Sequence, residues 1–340
     1  MTLAPGGVAN ALGSVFRTQR VQVGQLAYLT GQTVAIDIPR GLLLKSLKIR
    51  LSGTTDIDTA SITSWSSEMP LPLLKRIELK ADGRKPLVST DGRMLYRINQ
   101  LTRAKSGELI ADPALTVGTA LPFSALVTID CESLRSINPV FSYLDTRLYD
   151  NLRLEITWGA VADCYVPGSG LLVLANVIAD IQAEYTTEGF ENILFNKLLL
   201  SDEVPVVATS TALRLPVPRN GLLQSILFRT DRDAVVVNDI INNITLRSEN
   251  SVLHMDHLTW ATLQSCNAQE YQLDPPYLAG SIGQRINGYA FHELAEDFDF
   301  TTSLDTAALN TLDLLFDVTV GGGTSRLIKV LYTFLEPAGR

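Results

Sequence analysis

Alternation of apolar and polar residues dominates the chain and predicts β-strands. The pattern predicts strands over Thr33–Ile38, Ser46–Leu51, Arg76–Lys80, Leu152–Thr157, Leu213–Val217 and Leu312–Val320. Turn-forming residues separate them at Asp82-Gly83, Asp91-Gly92, Pro167-Gly168 and Gly321-Gly322-Gly323. Strands and helices do not alternate regularly, which argues against a Rossmann or (β/α)-barrel enzyme.

Helical patterns are few and short. Arg93–Leu101 follows Thr90 and Asp91, two residue types that cap helix N-termini. A second short helix is predicted over Leu253–Leu263, and a third over Val8–Phe16, where apolar residues share one side. The whole pattern therefore predicts an all-β protein with a few helices in its loops.

An internal repeat organises the chain. The matches between the two copies keep the same order and strand phase: Ile38–Leu43 with Val217–Leu223, Leu44–Arg50 with Leu223–Arg229, Ile77–Lys80 with Ile244–Arg247, Leu144–Thr146 with Leu304–Thr306, and Leu152–Leu154 with Leu312–Leu314. The copies end in apolar strands over Val173–Tyr185 and Leu327–Leu335. Ordered self-similarity of this kind indicates duplication of a domain.

The repeat also predicts the domain boundary. The offset between copies falls from about 179 to about 160 residues, so the loops of the first copy are longer, which costs little stability. The copies meet near Thr186–Asn192, which predicts one domain over 1–188 and a second over 189–340. Each all-β unit has room for about eight strands, as in sandwiches, jelly rolls and barrels, and the long connections favour two tandem jelly rolls.

The opening segment resembles a known family. Two strands lie within Val21–Pro39, a turn follows at Pro39-Arg40-Gly41, and an apolar strand covers Leu42–Gly53 (LLLKSLKIRLSG). Together with the duplication, this opening resembles the double jelly-roll major capsid proteins of tailless icosahedral double-stranded DNA viruses, the adenovirus-hexon lineage. Within that lineage, the sequence is most similar to the coat proteins of membrane-containing bacteriophages.

The resemblance implies a structural protein of the virion shell, synthesised in the host cytoplasm. It implies a homotrimer whose six jelly rolls form a pseudo-hexameric capsomer and then an icosahedral capsid. The implied partners are other copies of the chain, a vertex (penton) protein and minor capsid proteins. Val8–Phe16, followed by Arg17 and Arg20, would lie against an internal membrane or against a neighbouring capsomer. Specific nucleic-acid binding is not expected.

Amino-acid composition and charge exclude further classes of protein. The 340 residues are 46% hydrophobic and 19% charged, which excludes a disordered chain. The net charge of −8 excludes a generally basic nucleic-acid binder. Residues 1–110 carry 15 basic and 8 acidic side chains, whereas residues 111–340 carry 13 and 28. This asymmetry either orients the protein towards an anionic partner or reflects two differently decorated domains. The ratio of 20 Arg to 8 Lys fits extensive protein interfaces or codon bias.

Targeting signals and cysteine motifs are not recognised. Residues 1–16 have no basic region and no long apolar core, so no signal peptide is predicted. The apolar stretch Leu171–Ala179 is too short to cross a bilayer. Cys131, Cys164 and Cys266 show no CxxC spacing, which argues against a zinc cage and suits a reducing compartment.

Several residue groups are candidates for chemistry, each with a plainer explanation. His254 and His257 would share a helix face as metal ligands, or belong to an amphipathic loop helix, and His292 is expected to be exposed. Three groups of acidic residues are candidate calcium ligands, although their position in solvated loops is the simpler explanation: Asp56/Asp58, Asp231/Asp233 and Glu293/Glu296/Asp297/Asp299. Tryptophans that would line a sugar site or fill the core are Trp65, Trp158 and Trp260.

No sequence signature of an enzyme emerges. The GxSxG, HExxH and GxxxxGK[ST] motifs are absent, and Gly321–Thr324 is predicted to be a hairpin turn. We therefore predict a non-enzymatic capsid protein without a catalytic, metal or cofactor site. The alternatives are a secreted carbohydrate-active enzyme or lectin built of two jelly rolls, and a receptor-binding spike. The lack of a signal peptide and of disulfides argues against the former, and the lack of a repetitive shaft against the latter.

Overall fold

A computed structural model gives the structure of most of the chain. It describes residues 18–57, 64–65, 68–103, 108–111, 120–132, 139–166, 172–186, 193–249, 251–252, 255–271, 287–295 and 302–338. The predicted helix over Val8–Phe16 lies outside these residues, as does the predicted domain boundary, which falls between Thr186 and Ile193.

In the described residues, twelve strands and one α-helix precede the predicted boundary. They are β1 (Thr18–Ala27), β2 (Thr33–Asp37), β3 (Leu43–Ile57), β4 (Ser64–Trp65), β5 (Leu74–Ala81), β6 (Lys85–Thr90), α1 (Gly92–Arg103), β7 (Leu109–Ala111), β8 (Leu121–Asp130), β9 (Leu144–Asp145), β10 (Leu152–Trp158), β11 (Tyr165–Val166) and β12 (Leu172–Thr186). Short 3₁₀ helices lie at Leu71–Leu73, Pro139–Ser142, Thr146–Leu148 and Val161–Cys164.

Eleven strands and a second α-helix follow it in the described residues. They are β13 (Phe195–Pro205), β14 (Ser210–Pro216), β15 (Leu222–Arg232), β16 (Val235–Val236), β17 (Ile241–Ser248), β18 (Ser251–Val252), β19 (Leu258–Thr259), α2 (Trp260–Glu270), β20 (Tyr289–Glu293), β21 (Leu304–Asp305), β22 (Asp313–Val318) and β23 (Arg326–Pro337).

In each half, eight strands form two four-stranded arrays with the same order. In the first half, β1-β12-β3-β8 face β2-β10-β5-β6; in the second, β13-β23-β15-β20 face β14-β22-β17-β18. Each pair of sheets closes over apolar side chains. This order, in which the outermost strands in sequence are neighbours in space, is that of a jelly roll. The chain is therefore an all-β double jelly roll, as the sequence predicts.

The predicted alternation places side chains correctly along the strands. In β10, Leu152, Leu154, Ile156 and Trp158 are all buried, whereas the intervening side chains are exposed or half-buried. Burying such a side chain stabilises the fold by about 1.5–3 kcal/mol. The opening strands β1 and β2 pair with β12 and β10 rather than with each other, because they belong to opposite sheets.

One helix is predicted correctly and the other is displaced. The helix α1 contains the whole predicted range, and the Asp91 side chain caps it by accepting a hydrogen bond from the Met94 N–H at 2.8 Å. The prediction over Leu253–Leu263 is wrong over Met255–Thr259, the described residues that precede Trp260. His257 has a φ of +47°, and Leu258 pairs with Ile244 in a strand. Helix α2 therefore starts only after its N-cap residue, Thr259.

The repeated Leu-Asp-Thr segments occupy equivalent positions. Thr146 donates its hydroxyl hydrogen bond to the Leu42 carbonyl at 2.6 Å, and Thr306 donates to the Gly221 carbonyl at 2.6 Å. Both threonine side chains are completely buried. Each repeat therefore ties the turn that follows its Pro-Arg pair to the threonine just after the short strand β9 or β21, across 104 residues in the first jelly roll and 85 in the second.

The glycines of these turns are expected to respond differently to substitution. Gly41 and Gly221 have φ values of +107° and +115°, which disfavour any side chain. A Cβ at Gly41 meets nothing within 4 Å, but one at Gly221 lies 2.5 Å from the Leu335 carbonyl oxygen.

We therefore expect Gly41→Ala to cost about 1 kcal/mol, and Gly221→Ala about 1–3 kcal/mol more because backbone must move. Denaturant midpoints of the two variants test this difference. Equal midpoints would show that the second turn relaxes freely.

Candidate functional site

The junction between the two jelly rolls is the candidate functional site. Strand β6 of the first jelly roll pairs in parallel with β13 of the second, at Val88–Leu199 and Ser89–Leu200. Ser201 reinforces the join by donating its hydroxyl to the Ser89 carbonyl at 2.9 Å. Two sheets from different jelly rolls thus become one sheet of ten strands.

A buried ion pair lies beside this join. Arg229 on β15 places Nη1 2.9 Å from both carboxylate oxygens of Asp91, the residue that caps α1. Only 1% of the Arg229 side chain is exposed. Lys329 on β23 also contacts Asp91, with Nζ 3.3 Å from Oδ2. One carboxylate of the first jelly roll therefore forms ion pairs with two basic side chains of the second.

The ion pair extends into a network. Arg229 also binds Asp231 at 2.9 Å, and Asp231 lies 3.7 Å from Arg93 of α1. A second branch begins at Glu68, which accepts hydrogen bonds from Arg97 at 2.5 Å and from the Tyr289 hydroxyl at 2.6 Å. Charges of both signs are matched across the junction, which is the condition under which buried ions persist.

The neighbouring cations keep the Asp91 carboxylate charged at neutral pH. Burial by itself raises the pKa of the Asp91 carboxyl, but Arg229, Lys329, Arg93 and the Met94 N–H together hold that pKa well below its usual value. Burial next to Glu68 raises the pKa of Tyr289 well above its usual value, so the phenol remains a donor. The site therefore stabilises the contact between the two jelly rolls.

Two asparagines that the sequence analysis missed mark equivalent helix positions. Asn99 of α1 donates to the Thr128 carbonyl and accepts from the Thr128 N–H, both at 2.8 Å. Asn267 of α2 does the same with Phe291, both at 2.7 Å. Each amide side chain thereby attaches its helix to the backbone of the neighbouring strand through two hydrogen bonds. Asn99 lies in the helix that the sequence predicts over Arg93–Leu101, but Asn267 lies beyond the predicted range Leu253–Leu263, so the sequence did not show that the two positions are equivalent.

Of the two histidines considered as metal ligands, the one that the structure describes, His257, does not lie on a helix. His254 lies outside the described residues. His257 lies in a turn, with 79% of its side chain exposed and Nδ1 2.6 Å from Asp256. His292 was expected to be exposed, but it is half-buried within β20 because the strand pairs with β15. Among the residues that the structure describes, no group of three His, Cys, Asp or Glu side chains is placed to hold a metal ion.

The carboxylate groups separate into different environments. Asp231 is buried in the network, whereas Asp233 is exposed and accepts hydrogen bonds from Thr324 and Ser325. Asp56 lies in β3, and Glu293 accepts a hydrogen bond from Tyr271 at 3.0 Å. The remaining members, Asp58, Glu296, Asp297 and Asp299, lie outside the described residues.

Tryptophans and cysteines belong largely to the core. Trp158 is completely buried and Trp260 is 3% exposed, as core residues would be, while Trp65 pairs with Tyr165 in a two-stranded sheet. The thiols of Cys131 and Cys164 are buried, and burial raises the pKa of Cys131 to about 12. Within the described residues, no helix has the length and apolar character to cross a membrane.

Solved structures with the same fold cover nearly the whole chain. A chain in the atomic structure of Sulfolobus Turreted Icosahedral Virus is 18% identical, with a TM-score of 0.70, over 94% of this chain and 90% of that one. The major capsid protein P2 from Bacteriophage PM2 is 12% identical, with a TM-score of 0.59, over 95% and 99%.

The Faustovirus major capsid protein is 8% identical, with a TM-score of 0.59, over 94% of this chain and 89% of that chain. No protein-family model and no curated protein sequence matches the chain. The likeness therefore lies in the arrangement of the two jelly rolls, which these proteins share with this chain.

Proposed function

We propose that this protein is a major capsid protein, the repeating subunit of an icosahedral viral shell. The observation that carries the proposal is the rigid pairing of two jelly rolls, joined by a shared sheet and a buried ion network, in the fold that viral coat proteins share. Such a protein functions by burying interfaces between its copies, and this function requires no catalytic residue and no cofactor.

The geometry suits a homotrimer. Three copies of a two-domain chain supply six similar units, so an object with threefold symmetry fills a sixfold position in a lattice. A fixed angle between the two jelly rolls is necessary for this, since a flexible junction would not tile. The junction described above supplies that fixed angle.

Further partners complete the proposal. A vertex (penton) protein would fill fivefold positions, where a six-unit block does not fit, and minor capsid proteins would bridge the blocks. The segment 1–17, which includes the predicted helix, would contact an internal membrane or a neighbouring capsomer. The mature location of the protein is the shell of the virion.

Light scattering on the purified protein, with negative-stain images of the same sample, tests the proposal. We expect a mass three times the 37.1 kDa of one chain, with pseudo-hexagonal particles or closed shells. A protein that stays monomeric at high concentration, in every salt and calcium condition, would overturn the proposal.

A further inference from the structure

The chain contains four pairs in which Asp or Asn precedes Gly, and all of them lie in the described residues: Asp82-Gly83, Asp91-Gly92, Asn220-Gly221 and Asn287-Gly288. A glycine has no Cβ, so its backbone nitrogen can approach the side-chain carbon of the preceding residue closely. At an asparagine, this nitrogen can displace ammonia from the side chain and close a succinimide ring. The fold decides which of the pairs are free to react in this way.

The two aspartates are held by hydrogen bonds. Asp82 accepts the backbone N–H groups of Asp150 and Asn151 on one carboxylate oxygen, at 2.7 and 3.1 Å. Asp91 accepts from Met94 and Arg229, as described above. Neither carboxylate is therefore free to turn towards the nitrogen of the following glycine.

The pair Asn287-Gly288 is held at both reacting groups. The Asn287 side chain accepts from the Asn238 amide at 2.6 Å and donates to the Val236 carbonyl at 3.3 Å. The Gly288 N–H donates to the Asn238 side-chain oxygen at 2.6 Å. Ring closure here requires that all three hydrogen bonds break first.

The pair Asn220-Gly221 differs from the other three. Both residues are half-buried, and the described part of the chain supplies no hydrogen-bond partner to the Asn220 side chain or to the Gly221 N–H. In the equivalent turn of the first jelly roll, the N–H groups of Gly41 and Leu42 donate to the Thr146 hydroxyl at 3.0 and 3.3 Å. The turn of the second jelly roll thus combines the reactive sequence with a nitrogen that no hydrogen bond holds.

The fold also requires the glycine of this pair. Gly221 has a φ of +115°, and a Cβ at this position would lie 2.5 Å from the Leu335 carbonyl oxygen. A bulkier residue, which would shield the nitrogen, is therefore excluded at position 221. Only a change at Asn220 would remove the reactive pair.

We infer that Asn220 is a site of spontaneous deamidation. Hydroxide removes the Gly221 amide proton, and the nitrogen forms a bond with Cγ of Asn220. The bond from Cγ to Nδ2 breaks, and Nδ2 takes a proton from water and leaves as ammonia. A second water molecule opens the ring to aspartate or isoaspartate. The reaction needs no other copy of the chain, so the inference is independent of the proposed function.

Isoaspartate would weaken the turn, because it adds one methylene group to the backbone between positions 220 and 221. The turn is fixed at both ends. The Val217 N–H donates to the Leu312 carbonyl at 2.8 Å, and the Gly221 carbonyl accepts from the Thr306 N–H at 3.0 Å and from its hydroxyl at 2.6 Å. The added length falls between these anchors, so ageing should lower the stability of the second jelly roll.

Peptide mass spectrometry on the aged full-length protein tests the inference. The folded protein is incubated at neutral and at mildly alkaline pH and then digested, and the Asp and isoAsp forms of each peptide are quantified. We expect Asn220 to convert at least about tenfold faster than Asn287, whose three hydrogen bonds must break first. Conversion should be faster at the higher pH, because the attacking nitrogen is deprotonated.

The denatured chain is the control for sequence effects. In denaturant, Asn220 and Asn287 should convert at comparable rates, because the hydrogen bonds that protect Asn287 are lost. A preference for Asn220 of the same size in denaturant would show that neighbouring residues, and not the fold, cause it. Equal rates in the folded protein, or faster conversion of Asn287, would overturn the inference directly.

Two variants test the effect on stability. Asn220→Gln removes the reaction, because its longer side chain closes a ring only slowly, and Asn220→Asp adds the charge without lengthening the backbone. We expect the fresh parent protein and both variants to share one denaturant midpoint, and only the aged parent protein to unfold at a lower one. If aged parent protein and aged Asn220→Gln unfold alike, or if fresh Asn220→Asp is as unstable as the aged parent, the role given to isoaspartate is wrong.

Discussion

Replacing Arg229 with methionine is expected to destabilise the whole protein by about 3–5 kcal/mol, because the buried side chains of Asp91 and Asp231 would lose the guanidinium that pairs with both. The effect should appear as a lower denaturant midpoint of the full chain, measured by tryptophan fluorescence. Since the lost contact joins the two jelly rolls, a scan by calorimetry should also show that their unfolding becomes less cooperative.

A surface arginine provides the control for this loss. Arg153→Met removes a side chain that is 49% exposed, and we expect a change within about 0.5 kcal/mol. If Arg229→Met were as mild as Arg153→Met, the junction would not depend on its ion network, and the fixed angle between the jelly rolls would need another cause.

The same network determines how the effect should vary with pH. The pKa of Asp91 is lowered by folding, so its contribution to stability is present above the pKa of about 3.9 of an unfolded aspartate and is lost as the pH falls further. The stability difference between the parent protein and Asp91→Asn should therefore be largest near neutral pH and shrink below about pH 4.

Replacing Asn267 with leucine is expected to cost about 2–4 kcal/mol. The substitution leaves the buried N–H and carbonyl of Phe291 without their partner, and each unsatisfied group costs about 1–3 kcal/mol. Asn99→Leu should cost a similar amount, because Asn99 makes the same two bonds to Thr128. Hydrogen exchange at the Phe291 and Thr128 amides should report the loss locally.

An exposed asparagine on a neighbouring strand is the matched control. Asn242 lies on β17 and binds Asp317 and Thr319 at the surface, so Asn242→Leu should change stability by less than about 1 kcal/mol. If the two buried asparagines were no more sensitive than Asn242, the helices would be held by apolar packing alone.

Much of the architecture follows from local sequence. The period-two pattern places Leu152, Leu154 and Ile156 on one buried face, because alternate side chains of a strand point to the same side. The Pro-Arg and Leu-Asp-Thr segments identify two equivalent units, because they recur in the same order in both halves of the chain. Strand class, duplication and the family resemblance are therefore available from the sequence.

The start of α2 shows where the local sequence pattern fails to predict secondary structure. The helical period over Leu253–Leu263 is compatible with a helix, but Leu258 pairs with Ile244 of β17, and this pairing takes precedence over helix formation. The hydrogen bonds come from a strand partner twelve or more residues away, so a short stretch of sequence does not reveal them. The helix consequently begins at Trp260, after Thr259 caps it.

The all-β class, the duplication and the jelly-roll architecture could be predicted from the amino-acid sequence, since these features depend on side-chain period and turn chemistry within short segments. The way in which the two units are joined could not be predicted, because it depends on contacts between distant residues. Asp91 and Arg229 are separated by 138 residues, and Asp231, which resembles any loop carboxylate in the sequence, is buried between two arginines. Such pairs exist only after both jelly rolls have closed and met, because the low dielectric of the junction and the partner charges are properties of the assembled fold.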